Sequence, residues 1–111
     1  MALVFADEAV RLRDAGMSTE LIGRATGAAQ TTVRDWLNHR TSPTGSRADR
    51  IAELSTIIDR LQRVIDVDYV PLWLIKPIEA LDDEKPIDLI ARGDYLRVAR
   101  LVSSIEDPGA I

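Results

Sequence analysis

Apolar residues recur along the chain at three- and four-residue spacing and do not alternate with polar ones. The β-branched residues follow the same spacing, so the pattern predicts an all-α protein of six helical segments. The first covers residues 5–15 and stops at Gly16. The second is capped by Ser18, carries Glu20 in its first turn and stops at Gly27, each residue in a position that helix ends favour. The third covers 29–39. The stretch 41–45, Thr-Ser-Pro-Thr-Gly, then interrupts the pattern, because proline and glycine continue a helix poorly. A fourth helix is expected to open at Ser46, with Asp49 in capping-box spacing, and to run to 66–68. Its Ile51, Leu54, Ile58, Leu61 and Ile65 repeat at spacings of 3, 4, 3 and 4, two heptads of one seam. That seam is expected to pack mostly on the chain's own helices, with dimerisation as its alternative use. A short apolar turn at 69–75 and a loop lead to Pro86, the first position of a fifth helix ending at Gly93. Asp94 is expected to cap the sixth, whose buried stripe is Tyr95, Val98, Ala99, Val102 and Ile105. The layout is an N-terminal helix-turn-helix bundle at 1–45, a long connecting helix at 46–68 and a small helical C-terminal domain at 69–111.

The stretch 19–38 has the spacing of a helix-turn-helix, two helices packed steeply through a short turn. Such packing needs a small residue mid-first-helix, a turn residue tolerant of positive φ, and apolar residues facing the crossing. Gly23, Gly27, Val33 and Trp36 meet these needs at offsets of 4, 8, 14 and 17 from Thr19, and Ile22 and Ala28 complete the apolar set. Gln30, Thr31, Thr32 and Arg34 on the second helix then point outward. Glutamine can read adenine and arginine guanine, and threonine suits phosphate. Arg40, Arg47 and Arg50 are candidates to hold the flanking DNA backbone. A plain helical hairpin within a bundle is the competing reading of the same residues. Asp35, beside Arg34, would repel phosphate.

Charge at first argues against nucleic acid. The 111 residues carry a formal charge of −4, whereas DNA-binding domains usually carry a basic excess. The charge is unevenly placed, however. Residues 1–50 sum to +1, residues 24–50 to +3 and residues 51–111 to −5. The basic residues gather around the candidate recognition helix. The chain has no cysteine, so disulfides, thiolate metal sites and cysteine nucleophiles are excluded. With one histidine and no glycine-rich phosphate loop, the sequence offers no defensible catalytic set, and no enzyme, cofactor or metal is expected. His39 reads as a helix-end residue, and the acid run Asp82, Asp83 and Glu84 as a solvated loop. The opening Met-Ala-Leu-Val-Phe is short and followed at once by Asp7 and Glu8. No secretory leader and no membrane span are expected, and a cytoplasmic protein is.

From Trp73 onward, 39 residues carry a second pattern: Trp73-Leu74, Pro77, Ala80-Leu81, Pro86-x-Asp88-Leu89, Tyr95, Val98 and Leu101, with a looser match at 105–109. This pattern resembles the toxin-binding domain of the Xre/MbcA/ParS antitoxin family, whose layout also begins with a helix-turn-helix. Ile78 stands where the family often has Asn, and Asp83 where a Gly is common.

The resemblance implies the antitoxin of a type II toxin–antitoxin system. Its partner would be a RES-domain toxin that consumes NAD, inhibited by occlusion of the NAD pocket by the C-terminal helix and tail. On this sequence that role falls to Tyr95, Arg97, Arg100, Ser104, Glu106, Asp107, Gly109, Ala110 and Ile111. The resemblance further implies autorepression, with Gln30, Thr31, Thr32, Arg34 and Arg40 meeting operator DNA of the chain's own promoter. It also implies a homodimer or a higher hetero-oligomer with toxin. The alternative is a stand-alone helix-turn-helix transcriptional regulator whose C-terminal part only oligomerises or binds a ligand.

Overall fold

The computed structural model describes residues 3–109. Among them are seven α-helices: α1 (Leu3–Asp14), α2 (Thr19–Thr26), α3 (Gln30–Leu37), α4 (Gly45–Leu61), α5 (Val70–Leu74), α6 (Pro86–Ala91) and α7 (Tyr95–Glu106). Two 3₁₀ turns, Val67–Tyr69 and Glu79–Leu81, complete the order. There is no strand among the described residues, only an isolated antiparallel bridge between Ile78 and Glu84. The all-α expectation holds. The six expected helices become seven because the apolar stretch after α4 folds as a short helix of its own.

The fourth helix differs from expectation at both ends. It begins at Gly45 with Thr44 at the cap position, and no side chain caps it, so Ser46 and Asp49 form no capping box. It ends at Leu61, well short of residue 68. Its exit tightens, with Arg63 N–H donating to the Arg60 carbonyl and Val64 N–H to that of Leu61. Asp66 then accepts from the Asp68 N–H at 2.9 Å, which starts the first 3₁₀ turn. The physical reason lies downstream. Val70, Trp73 and Leu74 must come back onto the core, where they are buried, and a straight helix to residue 68 would carry them away from it. Asp94 does stand at the cap of α7, but its side chain makes no cap bond. Its carboxylate is instead within 3.5 Å of Arg97.

The core is one contiguous cluster running from Ala9 and Leu12 in α1 to Val98 and Val102 in α7. Helix α4 lies along its centre and touches α1, α2, α6 and α7. Ile51, Leu54, Ile58 and Leu61 of the seam are buried within this chain, as is Ile57. Ile65 packs against the cluster from beyond the helix end. The seam is therefore used internally. Of the α7 stripe, Val98 and Val102 are fully buried, while Tyr95, Ala99 and Ile105 pack on the cluster from its edge.

The turn between α2 and α3 follows the expected plan closely. Ile22 and Val33 are fully buried and Trp36 nearly so. Gly27 caps α2 at φ +76°, in the left-handed region, and its N–H donates to the Gly23 carbonyl at 2.8 Å. At Gly23 the tightest approach comes from the turn rather than from the crossing helix. A Cβ there would stand 2.6 Å from the backbone carbonyl of Ala28 in the turn, with Val33 of α3 farther off at 3.8 Å. Nothing in the spacing marks Thr26, which is buried. Its hydroxyl donates to the Ile22 carbonyl at 2.8 Å and accepts from the Ala28 N–H at 3.3 Å, stitching the turn shut.

Among the ion pairs of the described residues that tie distant segments together, two have bidentate geometry. Arg24 of α2 makes a two-pronged contact with Asp88 in the first turn of α6, at 2.8 and 2.9 Å. Arg60 of α4 donates to both carboxylate oxygens of Glu106 at the end of α7, at 3.1 and 2.6 Å, and to the Ser103 hydroxyl at 2.9 Å. Bidentate arginine–carboxylate geometry of this kind is the strongest a partly exposed pair can have. The Arg60 hydrogen bonds hold the Glu106 carboxyl below its ordinary value of 4.5, against a smaller opposing effect of desolvation.

Two outcomes follow from this packing. Gly23→Ala should destabilise the protein by about 2 kcal/mol, because overpacking against backbone outweighs the helix propensity that alanine adds. A chemical-denaturation midpoint at or above that of the wild type would contradict the packing described. The second concerns acid. A carboxylate lowered by folding contributes stability that is present above its unfolded pKa and lost as pH falls through the folded one. Stability should therefore decline below about pH 4.5, and Glu106→Gln should lower the melting temperature at neutral pH more than at about pH 3. Equal losses at both pH values would mean that the pair contributes nothing through charge.

Candidate functional site

Two surfaces carry the residues singled out from sequence. The first is the outer face of α3. Gln30, Thr31 and Arg34 are exposed, Thr32 is half-buried, and Arg40 lies exposed just past the helix. The burial of Val33 and Trp36 sets this orientation, since it turns the opposite face of α3 to solvent. Arg34 holds no ion pair among the described residues, and its guanidinium is available to a ligand. Arg40 stands 3.7 Å from Asp35, a loose pair that water screens well. Asp35 thus turns toward Arg40, which moderates the repulsion of phosphate expected from it. Gln30 is held in place, with its side-chain oxygen accepting from the Thr19 hydroxyl at 3.1 Å. Reading adenine with both ends of its amide requires it to leave Thr19. Arg47 reaches back to the Gly27 carbonyl at 3.4 Å, across the mouth of the turn. Arg50 is not part of this face. It is bound to Glu53 at 2.6 Å and packs over Gly93. His39 sits at φ +58° just past α3, and its ring meets Asp7 of α1 at 2.9 Å.

The second surface is built by α7 and the turn that faces it. Tyr95 is half-buried against the core. Arg97 is engaged, donating to Asp82 at 2.9 Å and lying within 3.5 Å of Asp94. Arg100 and Ser104 are exposed, and the Ser104 hydroxyl donates to its own helix at the Leu101 carbonyl. Glu106 is exposed but committed to Arg60, whereas Asp107, also exposed, holds no ion pair among the described residues. Gly109 is exposed, and Ala110 and Ile111 lie outside the described residues.

The acid run facing α7 is a folded turn. Asp82 and Asp83 adopt left-handed backbone at φ +58° and +63°, a conformation that short polar residues tolerate better than most. Asp83 therefore takes without glycine the shape that a glycine would supply at that position. Glu84 is paired with Arg92, whose hydrogen bonds hold its carboxyl below the usual range. No group of three or more potential metal ligands converges among the described residues. None of the described helices is long and apolar enough to cross a membrane.

Sequence reasoning missed the pairs that fix how these surfaces sit. Arg24 and Asp88 are 64 residues apart, and Arg60 and Glu106 are 46 apart. No local signal marks either pair. Asp88 is legible only as a dipole-favoured acid in the first turn of α6, and nothing nearby names Arg24 as its partner.

No family model matches the chain. In sequence it is similar to the mycobacterial cidal antitoxin MbcA of Mycobacterium tuberculosis and of Mycobacterium bovis. In each case it is 28% identical over 92 residues, which cover 83% of this chain and 81% of the relative. In structure it is similar to a chain of the crystal structure of the M. tuberculosis MbcT–MbcA toxin–antitoxin complex. The TM-score is 0.84 at 26% identity, covering 97% of this chain and 98% of that one. The likeness spans both the helix-turn-helix and the C-terminal helices, so the chain resembles the MbcA antitoxins along nearly all of its length.

Proposed function

We propose that this antitoxin neutralises a RES-domain, NAD-consuming toxin by laying α7 and the residues after it over the toxin's NAD pocket. The observation that carries the reading is the nearly end-to-end match to a chain from a solved toxin–antitoxin complex. The chemistry at the end of α7 supports the occlusion step. Asp107 is exposed and without an ion pair among the described residues. A carboxylate can take a phosphate's place against arginine or lysine. Glu106 serves differently, since Arg60 holds it and it fixes the direction in which the chain leaves α7. Occlusion then falls to Asp107, Gly109, Ala110 and Ile111, with Tyr95, Arg97, Arg100 and Ser104 on the supporting helix.

A second role is autorepression, in which α3 meets the operator of the chain's own promoter. The exposed Gln30, Thr31 and Arg34, with Arg40 and Arg47 beside them, support it. Thr32 is half-buried and contributes at the edge of that face. The assembly proposed is a homodimer or a higher hetero-oligomer with toxin.

Co-expression with a RES-domain toxin from an adjacent reading frame, the partner proposed here, tests the first role. The full chain should co-purify with that toxin, preserve cellular NAD and restore growth. A chain lacking residues 107–111 should still co-purify but leave NAD unprotected. Full protection by the shortened chain would exclude occlusion by the tail, and no co-purification of the full chain would favour a stand-alone regulator. For the second role, Arg34→Ala should weaken operator binding by about 1–3 kcal/mol if Arg34 reads a base. An unchanged affinity, independent of salt, would reduce the helix-turn-helix to scaffold.

A further inference from the structure

Between α7 and the 3₁₀ turn Glu79–Leu81 lies an open groove of about 310 Å³, lined by Ala80, Leu81, Arg97, Arg100 and Leu101. Its floor is apolar. Leu81 is 2% exposed, and Leu101 packs against the core. Its two cations are not equivalent. Arg97 already faces two carboxylates, Asp82 and Asp94. Arg100 holds no ion pair among the described residues, although this half of the chain carries twelve acids against seven bases. One turn before it stands Leu96, at 62% the most exposed large apolar side chain described. Residues four apart on a helix share a face, so Leu96 and Arg100 present an apolar group and an uncommitted guanidinium side by side.

We infer that this groove is the anchoring site for the toxin, and that its occupant is a toxin segment bearing an aspartate or glutamate next to an apolar side chain. The carboxylate pairs with Arg100 at the groove's rim, and the apolar side chain covers Leu96 and enters over Leu81 and Leu101. The inference rests on the antitoxin reading and gives the partner chemistry of that same surface. Charge complementarity selects the occupant. A basic segment would meet Arg100 unpaired, and a purely apolar one would bury that guanidinium without a partner, which is unfavourable in a desolvated contact. The groove and the tail then have separable tasks: the groove supplies affinity, and residues 107–111 supply inhibition.

The test measures affinity of the full chain for a co-expressed RES-domain toxin, together with protection of NAD. Arg100→Glu should weaken binding by at least about tenfold, and Leu96→Ser by a smaller factor, while Arg100→Lys stays within about threefold of wild type. Arg100 and Leu96 are exposed, so circular dichroism and melting should not change. The chain has no cysteine, so Ala80→Cys offers a single attachment point for a photoreactive label, which should capture a toxin peptide containing an acidic residue. Reversing that residue's charge should restore binding to Arg100→Glu. Wild-type affinity in both Arg100→Glu and Leu96→Ser overturns the groove as anchor, as does an effect confined to Asp82→Asn. In either case binding by the wild-type chain leaves the antitoxin reading standing. If the wild-type chain itself fails to bind, that reading falls and takes the groove with it.

Discussion

The fold depends on burying one helix. At 17 residues α4 is the longest helix described, and the others have between 5 and 12. Helices shorter than about 12–15 residues are marginal in water on their own. Each short helix here is stable only through the apolar surface it shares with its neighbours. Ile51, Leu54, Ile57, Ile58 and Leu61 provide much of that surface, and α1, α2, α6 and α7 pack around it. The N-terminal turn motif and the C-terminal helices therefore share a core, and a change in the packing of α4 reaches both candidate surfaces.

Placing α4 at the centre also determines which charges remain for partners. The second half of the chain has an acidic excess, and much of it is spent within the molecule. Asp88 holds Arg24, Glu106 holds Arg60, Glu84 holds Arg92, and Asp82 with Asp94 holds Arg97. Among the described residues at the candidate surfaces that hold no ion pair are Arg34 on α3, Arg100 on α7 and Asp107 at the end of α7. These three are more informative about recognition than the net charge. On the proposed reading, Arg34 would meet the phosphates or bases of DNA, Arg100 an acidic segment, and Asp107 a pocket made for an anion.

The two inter-helix clamps add direction to this arrangement. Arg24 and Asp88 join the helix-turn-helix to α6, and Arg60 and Glu106 fix where α7 ends. Both are partly exposed, so solvent screening keeps their contribution to overall stability modest. Their effect is geometric. A tail that leaves α7 from a fixed point samples less space than one on a frayed helix, and ordering it on a partner loses less conformational entropy.

The sequence by itself determined the all-α class, the helix-turn-helix with Gly23, Gly27, Val33 and Trp36 in their places, the start of α6 at Pro86 and the stripe of α7. These features rest on local periodicity and on backbone preferences, which act over a few residues and can be read there. Tertiary structure alone decided that α4 stops at Leu61 so that Val70, Trp73 and Leu74 return to the core. It also decided that Gly23 answers to the Ala28 carbonyl, that Thr26 closes the turn, and that Glu106 is held by Arg60 while Asp107 is not. Each of these depends on groups brought together by packing, and for the clamps the partners are 46 and 64 residues apart. Spacing along a chain carries no information about which of many arginines a given carboxylate will meet, because that is settled only when the helices bury their apolar faces.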